Sequence, residues 1–226
     1  MLLFDGQFNM AADARLFARA EQGAPGWRVY GWDGPWVSLG CYQDPKRDLL
    51  DPELVPWVMR PTGGKAVLHG HDVTVGLALP LGLLSRLSSI DEEKLARSLR
   101  VVYRLALAPI VDALRTCGQP AILGEELPAK RTQSKAGRVA DCFAVVSAND
   151  VVHEKTGMKV CGCALKLTHK AVLVQASIPA TAPLIDPRKV FARPSTIPLS
   201  PWGHENFPHA FKEAMEQMMS NETVSL

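Results

Sequence analysis

Met10, Phe17 and Ala20 fall near one helical face, with Asn9 before them and Gly23 after, which predicts an N-capped helix closed by a glycine. The pattern then shortens to strand-like runs. Trp27 to Trp32 and Pro35 to Gly40 are aromatic and β-branched stretches separated by Asp33-Gly34, a hairpin turn signal. Val55 to Arg60 and Val73 to Leu79 read as two more strands, joined by a glycine-containing segment.

Ser88 or Ser89, followed by Asp91, Glu92 and Glu93, marks the start of a long helix whose acidic first turn complements the helix dipole. It runs to about Thr116, and Pro109 predicts a break or kink within it. Leu127 to Arg138 is polar and basic, with Lys130, Arg131, Lys135 and Arg138, and reads as an exposed loop. Phe143 to Ser147, Lys159 to Leu167 and Ala171 to Ile178 read as strands, followed by a Pro-rich passage. Phe207, Phe211, Met215 and Met218 space a final amphipathic helix. Helices and mostly hairpin-linked strands in this order predict an α+β fold. With no repeat, low-complexity tract or Ser/Gly linker, one domain over residues 1–226 is expected, its core at about 9–180 and a Pro-rich segment and helix at 181–226.

Composition narrows the function classes. A chain of 226 residues can bury a substantial core, and 47% hydrophobic with 21% charged residues excludes a disordered chain. A net charge of +2 gives no reason to expect a nucleic-acid partner. The longest apolar stretches, Val101 to Leu107 and Val73 to Leu84, are interrupted well short of a bilayer span, so no membrane segment is expected. The start, MLLFDGQFNM, lacks the features of a secretory signal, and a cytosolic location is expected. Five cysteines, an odd number in a chain that needs no staples, are read as reduced thiols.

Three segments could carry chemistry. In MRPTGGKAVLHG, Met59 to Gly70, the Gly63-Gly64 pair lets backbone N–H groups approach a ligand, flanked by Arg60 and Lys65 with His69 near the far end. A plain β-turn with solvated cations fits the same residues. Cys142 stands where the basic loop meets a strand, and it fits either an activated thiol or a small buried apolar residue. Lys159 opens a strand, and a lysine beside a reacting carbonyl can stabilise the developing oxyanion. Cys161-Gly162-Cys163 and His69-Gly70-His71 each supply only two ligands and no matching second pair, so no metal site is expected.

Together these segments resemble the lipoate–protein ligase and octanoyltransferase superfamily, relatives of the biotin–protein ligase catalytic domain. Asn9-Met10-Ala11-Ala12-Asp13 is similar to its opening NMAxD helix, and Trp32, Pro35, Val37-Ser38-Leu39-Gly40 and Gln43 to its W…P…VSLGxxQ segment. Met59 to His69 resembles the RRxTGGxAVxH loop. Asp150-Val151-Val152, Gly157-Met158-Lys159-Val160 and Gly162-Cys163-Ala164 resemble DLVV…GxKixGSA. The resemblance implies a mixed sheet flanked by helices, with an acyl pocket under the Gly-Gly loop. It implies that Arg60, Thr62, Gly63, Gly64, Ala66, His69, Gly162 and Ala164 bind substrate and that Lys159 points at the acyl carbonyl.

The superfamily holds two chemistries. Its ligases activate lipoate with ATP and Mg, and its cysteine-dependent transferases take octanoate from acyl carrier protein as an enzyme thioester, with no cofactor. Asp141-Cys142-Phe143 resembles the nucleophile segment of the transferases, and Pro61 to His69 resembles their form of the loop. The chain's end some 50 residues after this region is a third, weaker pointer in the same direction. The implied acceptor is a lysine of a lipoyl domain or of the glycine cleavage H protein, and the basic loop suits acidic carriers or is simply solvated. Departures stand at Met59, Cys163, Leu165 and Val174-Gln175-Ala176, where the superfamily has Arg, Ser, Gln and QHG. They leave open an ATP-dependent ligase, and a non-catalytic binder of acyl carriers or lipoyl domains.

Overall fold

In the computed structural model, residues 1–127, 139–194 and 202–223 are described, the last three without their side chains. A seven-stranded mixed sheet is built from β1 (Leu3–Phe4), β2 (Gly26–Trp32), β6 (Asp72–Pro80), β7 (Ala121–Leu123), β8 (Val151–His153), β9 (Lys159–Leu167) and β10 (Ala171–Pro179). Its order is β1-β2-β6-β10-β9-β8-β7. Within this sheet only β1 and β2 pair in parallel. A second sheet holds β3 (Val37–Leu39), β4 (Trp57–Met59) and β5 (Val67–Leu68) in the order β4-β3-β5. This is the α+β class that the order of elements predicts.

The central strands are covered on both faces, so they read as continuous apolar runs. On β6, Val73, Val75, Leu77 and Leu79 join a core with α3 (Leu81–Ser88), α4 (Glu92–Arg97), α5 (Leu99–Thr116) and α6 (Phe207–Thr223). The alternate residues of β6 face α1 (Gly6–Ala20), whose Phe17 and Ala20 pack on Ala78, Ala171 and Leu173. Phe207, Phe211 and Met215 seat the last helix in the main core, as their spacing predicts. A short helix, α2 (Pro45–Asp48), lies between the strands of the small sheet.

Several elements differ from the sequence pattern for local reasons. Helix α1 begins at Gly6, because the Asp5 carboxylate accepts from Phe8 N at 2.7 Å and caps it. Asn9 is buried inside that helix, donating to Gly31 O and accepting from Arg28. Asp33-Gly34 does not close a hairpin ladder: β2 pairs with β6, and β3 enters the other sheet, so the turn carries the chain between sheets. The long helix is divided at Ser98, and Pro109 lies within α5, where it removes one helical hydrogen bond without ending the helix. Asp91, not a serine, caps α4, and Ser89 turns the chain at φ +54° after α3. Residues 143–147 form no strand: Cys142–Ala144 is a single 3-10 turn, held by the Asp141 carboxylate accepting from Phe143 N at 2.9 Å.

Candidate active site

The Gly-Gly loop is held from beneath by one cation. Arg60 is buried, and its guanidinium donates to Gly63 O at 2.8 Å, to Lys65 O at 2.6 Å and to Ser38 O at 2.9 Å, with Nε on Thr62 Oγ1 at 3.1 Å. Burial pulls this guanidinium below its ordinary range, with the nearby Cys142 and Cys41 opposing. Gly64 takes φ +86°, and a Cβ on Gly40 would lie 2.1 Å from Gly64 O, so both glycines are needed where the two backbones meet. The loop's Gly63 and Lys65 carbonyls are thus taken by Arg60.

The far end of the loop positions the thiol. Ala66 N donates to Ala140 O and Cys142 N donates to Ala66 O, each at 2.8 Å, pinning Cys142 beside the loop. Lys159, the first residue of β9, is buried and reaches across to it. Its Nζ donates to Cys142 Sγ at 3.2 Å, to Cys142 O at 2.9 Å and to Asp150 Oδ1 at 2.8 Å. Burial alone would push this ammonium down, but Cys142 and Asp150 together raise it above its ordinary range. Lys159 as an ammonium thus has all three donors placed. It stabilises negative charge that develops on the sulfur.

Cys142 opens onto a small cavity between the two sheets, whose walls include Arg60, His69, Gly162 and Ala164. Gly162 clears space for the thiol, since a Cβ there would sit 3.2 Å from Cys142 Sγ and 3.3 Å from the Phe143 ring. Thr62, Gly63, Gly64 and Ala66 lie one layer out and act on the walls through the contacts above. The opposite wall is a buried polar set. His69 Nδ1 meets Asp72 Oδ2 at 2.8 Å, its Nε2 meets Ser38 Oγ at 2.8 Å, and its ring stacks on Trp32 at 4.0 Å.

A second buried set ties this region to α1. Gln175 Nε2 donates to Asp13 Oδ2 at 2.7 Å while its Oε1 accepts from Thr62 Oγ1 at 2.8 Å. Asp13 also takes Tyr30 Oη and Arg28 Nη1. Burial raises the Asp13 carboxyl, opposed by those same partners. At Gln175, where the superfamily has His, the side chain thus links the Gly-Gly loop to the first helix.

Sequence reasoning missed Asp150, Ser38 and Asp72 as site residues. Asp150 and Ser38 stood inside quoted motifs, but nothing local marks a carboxylate that meets a lysine nine residues on across a strand pair, or a serine that meets His69 from another strand. Cys161 Sγ lies 3.5 Å from Cys163 Sγ, with Cys161 buried in the main core. Among the described residues, no three His, Cys, Asp or Glu gather as a cation site. Lys130, Arg131, Lys135 and Arg138 of the basic loop lie outside the described residues.

Fold and site define an α+β domain in which an arginine-braced Gly-Gly loop borders a cavity holding a Cys–Lys pair. Comparison with known proteins then assigns it: the sequence model of the lipoyl protein ligase A/B catalytic domain matches residues 5–197, and the chain belongs to that family. It is 30% identical over 191 residues to octanoyltransferase LipM of Kyrpidia tusciae, covering 82% of this chain and 65% of that protein. The fold is similar to protein Ta0514 of T. acidophilum, solved with bound lipoic acid, at TM-score 0.65 and 17% identity over 100% of this chain and 91% of the other. It is also similar to lipoate-protein ligase A bound with ATP, at TM-score 0.64 and 17% identity over 99% and 90%. Since the chain spans 65% of the Kyrpidia relative's length, its shortness carries no argument for transfer over ligation. Among the described residues no helix is long and apolar enough to cross a membrane.

Proposed function

We propose that the protein is an octanoyl or lipoyl transferase of lipoate metabolism. In the first step the Cys142 sulfur attacks an octanoyl thioester on acyl carrier protein, the carrier thiolate leaves, and Cys142 holds the acyl group. In the second step a lysine of a lipoyl domain or of glycine cleavage H protein takes it as an amide. No cofactor enters, since thioester exchange is nearly isoenergetic and the amide is downhill. A cytosolic location belongs to this reading.

The observation that carries the proposal is the 3.2 Å contact between Lys159 Nζ and Cys142 Sγ at the cavity. The resemblance to proteins named octanoyltransferase LipM supports it. Once the sulfur is acylated it is a poor acceptor, and the Lys159 N–H that faced it becomes available to the oxyanion of the tetrahedral intermediate. Arg60 and the Gly-Gly loop keep the thiol's backbone anchor in place.

Incubation with octanoyl acyl carrier protein, without ATP, should give a hydroxylamine-labile adduct on Cys142. A Cys142→Ala variant that still transfers octanoate would overturn the mechanism, and ATP-dependent loading of free lipoate by that variant would establish a ligase. Stable carrier binding without transfer in either assay would establish a non-catalytic binder.

A further inference from the structure

The two steps differ in what they ask of a base. A thiolate attacking a thioester has no proton to lose. A lysine amine does: at neutral pH roughly one in a few thousand is uncharged, and the attacking nitrogen must shed a proton before a stable amide results. Lys159 is a poor acceptor for it, because the ammonium is tied to the Cys142 carbonyl and to Asp150 and its remaining N–H faces the oxyanion. The cavity holds another candidate.

Ser38, His69 and Asp72 form a continuous hydrogen-bonded row, and each is buried. The Asp72 carboxylate also accepts from Thr74 Oγ1 at 2.9 Å, Ser177 Oγ at 2.6 Å and Gly70 N at 3.2 Å. It is therefore an acceptor toward Nδ1, which carries the imidazole hydrogen. Arg60 Nη1 donates to Ser38 Oγ at 3.1 Å, which leaves the hydroxyl's own hydrogen free to point to His69 Nε2. A neutral imidazole fits these partners with its basic nitrogen turned toward Ser38. Trp32, stacked at 15° to the ring, holds that orientation. Ser38 and His69 line the same cavity as Cys142.

We propose that the Ser38–His69–Asp72 row is the proton acceptor of the second step, a role that rests on the Cys142 thioester reading above. As the amine nitrogen bonds to the acyl carbon and the carbon–sulfur bond breaks, the electron pair stays on Cys142 beside Lys159. The nitrogen's proton passes to Ser38 Oγ while the Ser38 hydrogen passes to His69 Nε2, giving an imidazolium paired with Asp72. In the next turnover the carrier thiolate released by Cys142 takes that proton from His69, and the cycle closes without a further reactant. Asp72 is a positioning residue in this scheme.

Single-turnover measurement of the two steps tests it, using octanoyl acyl carrier protein, a lipoyl domain, and the His69→Asn and Ser38→Ala variants. Acylation of Cys142 should fall by less than about tenfold in both, and transfer to the lipoyl-domain lysine by about 10²- to 10⁴-fold. Hydroxylamine, which cleaves thioesters without an enzymic base, should still release the acyl group from both variants at the unsubstituted rate. Lysine transfer at that rate in either variant, or an equal loss with hydroxylamine, would overturn the role. Should His69→Asn not fold, Ser38→Ala, which removes one oxygen, decides alone. Absence of the Cys142 adduct in the unsubstituted protein would overturn the thioester reading and this role with it.

Discussion

Lys159 Nζ donates to both the sulfur and the carbonyl oxygen of Cys142, at 3.2 and 2.9 Å. One residue thereby fixes the amine against the thiol, and Asp150 fixes the amine from behind at 2.8 Å. Sulfur, ammonium and carboxylate form a single electrostatic unit, its ammonium and carboxylate buried, in which removing the middle charge has two separable effects.

Lys159→Met should abolish adduct formation on Cys142 by at least about 10²-fold. It should also destabilise the fold by about 3–5 kcal/mol, because Asp150 is left buried without its cation. Lys159→Met combined with Asp150→Asn should recover much of the lost melting temperature and none of the acylation. Thermal melts alongside adduct mass spectrometry check this, and a double variant that regained activity would show that the charge at the sulfur is dispensable.

Gly162→Ala places a methyl 3.2 Å from Cys142 Sγ and 3.3 Å from the Phe143 ring. The turn that carries the thiol must then shift by a few tenths of an ångström. Acylation is expected to slow by about 10- to 100-fold, since small misplacements of reacting groups are costly. The melting temperature should move little, and a variant that acylates normally would show that the turn yields freely.

Acid stability should report on Asp72. Burial pushes its carboxyl up, but the charge and hydrogen bond of His69, with His71 and Ser177 behind them, hold it down at about 2 against the usual 3.8. A depressed carboxyl stabilises the fold above its unfolded value and loses that contribution as the pH falls toward the folded one, here from about 4 to 2. The increment is about 2 kcal/mol. Urea unfolding at about pH 6, 4 and 2.5 should show it in the unsubstituted protein, and Asp72→Asn should flatten that acid limb.

Gly76→Ala should be among the most damaging single changes outside the cavity. A Cβ at Gly76 would lie 2.4 Å from Asp13 Oδ1, with Asp13 itself held by Gln175, Tyr30 and Arg28. Either α1 lifts from the sheet or the buried carboxylate loses partners, and a loss of at least about 2 kcal/mol is expected. Gln175→Leu should cost about 1–3 kcal/mol by leaving Asp13 and Thr62 short of a partner. Chemical denaturation of both variants measures this.

The chain's own pattern determined the parts whose physics is local. Lys159–Leu167 and Ala171–Pro179 are legible as strands because they are β-rich runs of ordinary length, and α6 is legible from its apolar spacing. The Gly-Gly loop is legible because Gly64 meets a positive φ there and Gly40 a close backbone approach. Cys142 and Lys159 could be named from their motifs, while their 3.2 Å meeting could not. Tertiary structure decided that meeting, and it decided the elements in which two local signals compete. Asp5 displaces Asn9 as cap because Arg28 and Gly31 draw Asn9 inward. The Asp33-Gly34 turn joins two sheets because β6 claims β2. Asp150 and Ser38 stayed hidden for the same reason: a carboxylate or hydroxyl becomes chemical only through the partner that folding brings to it, and that partner lies across a strand pair or on another strand.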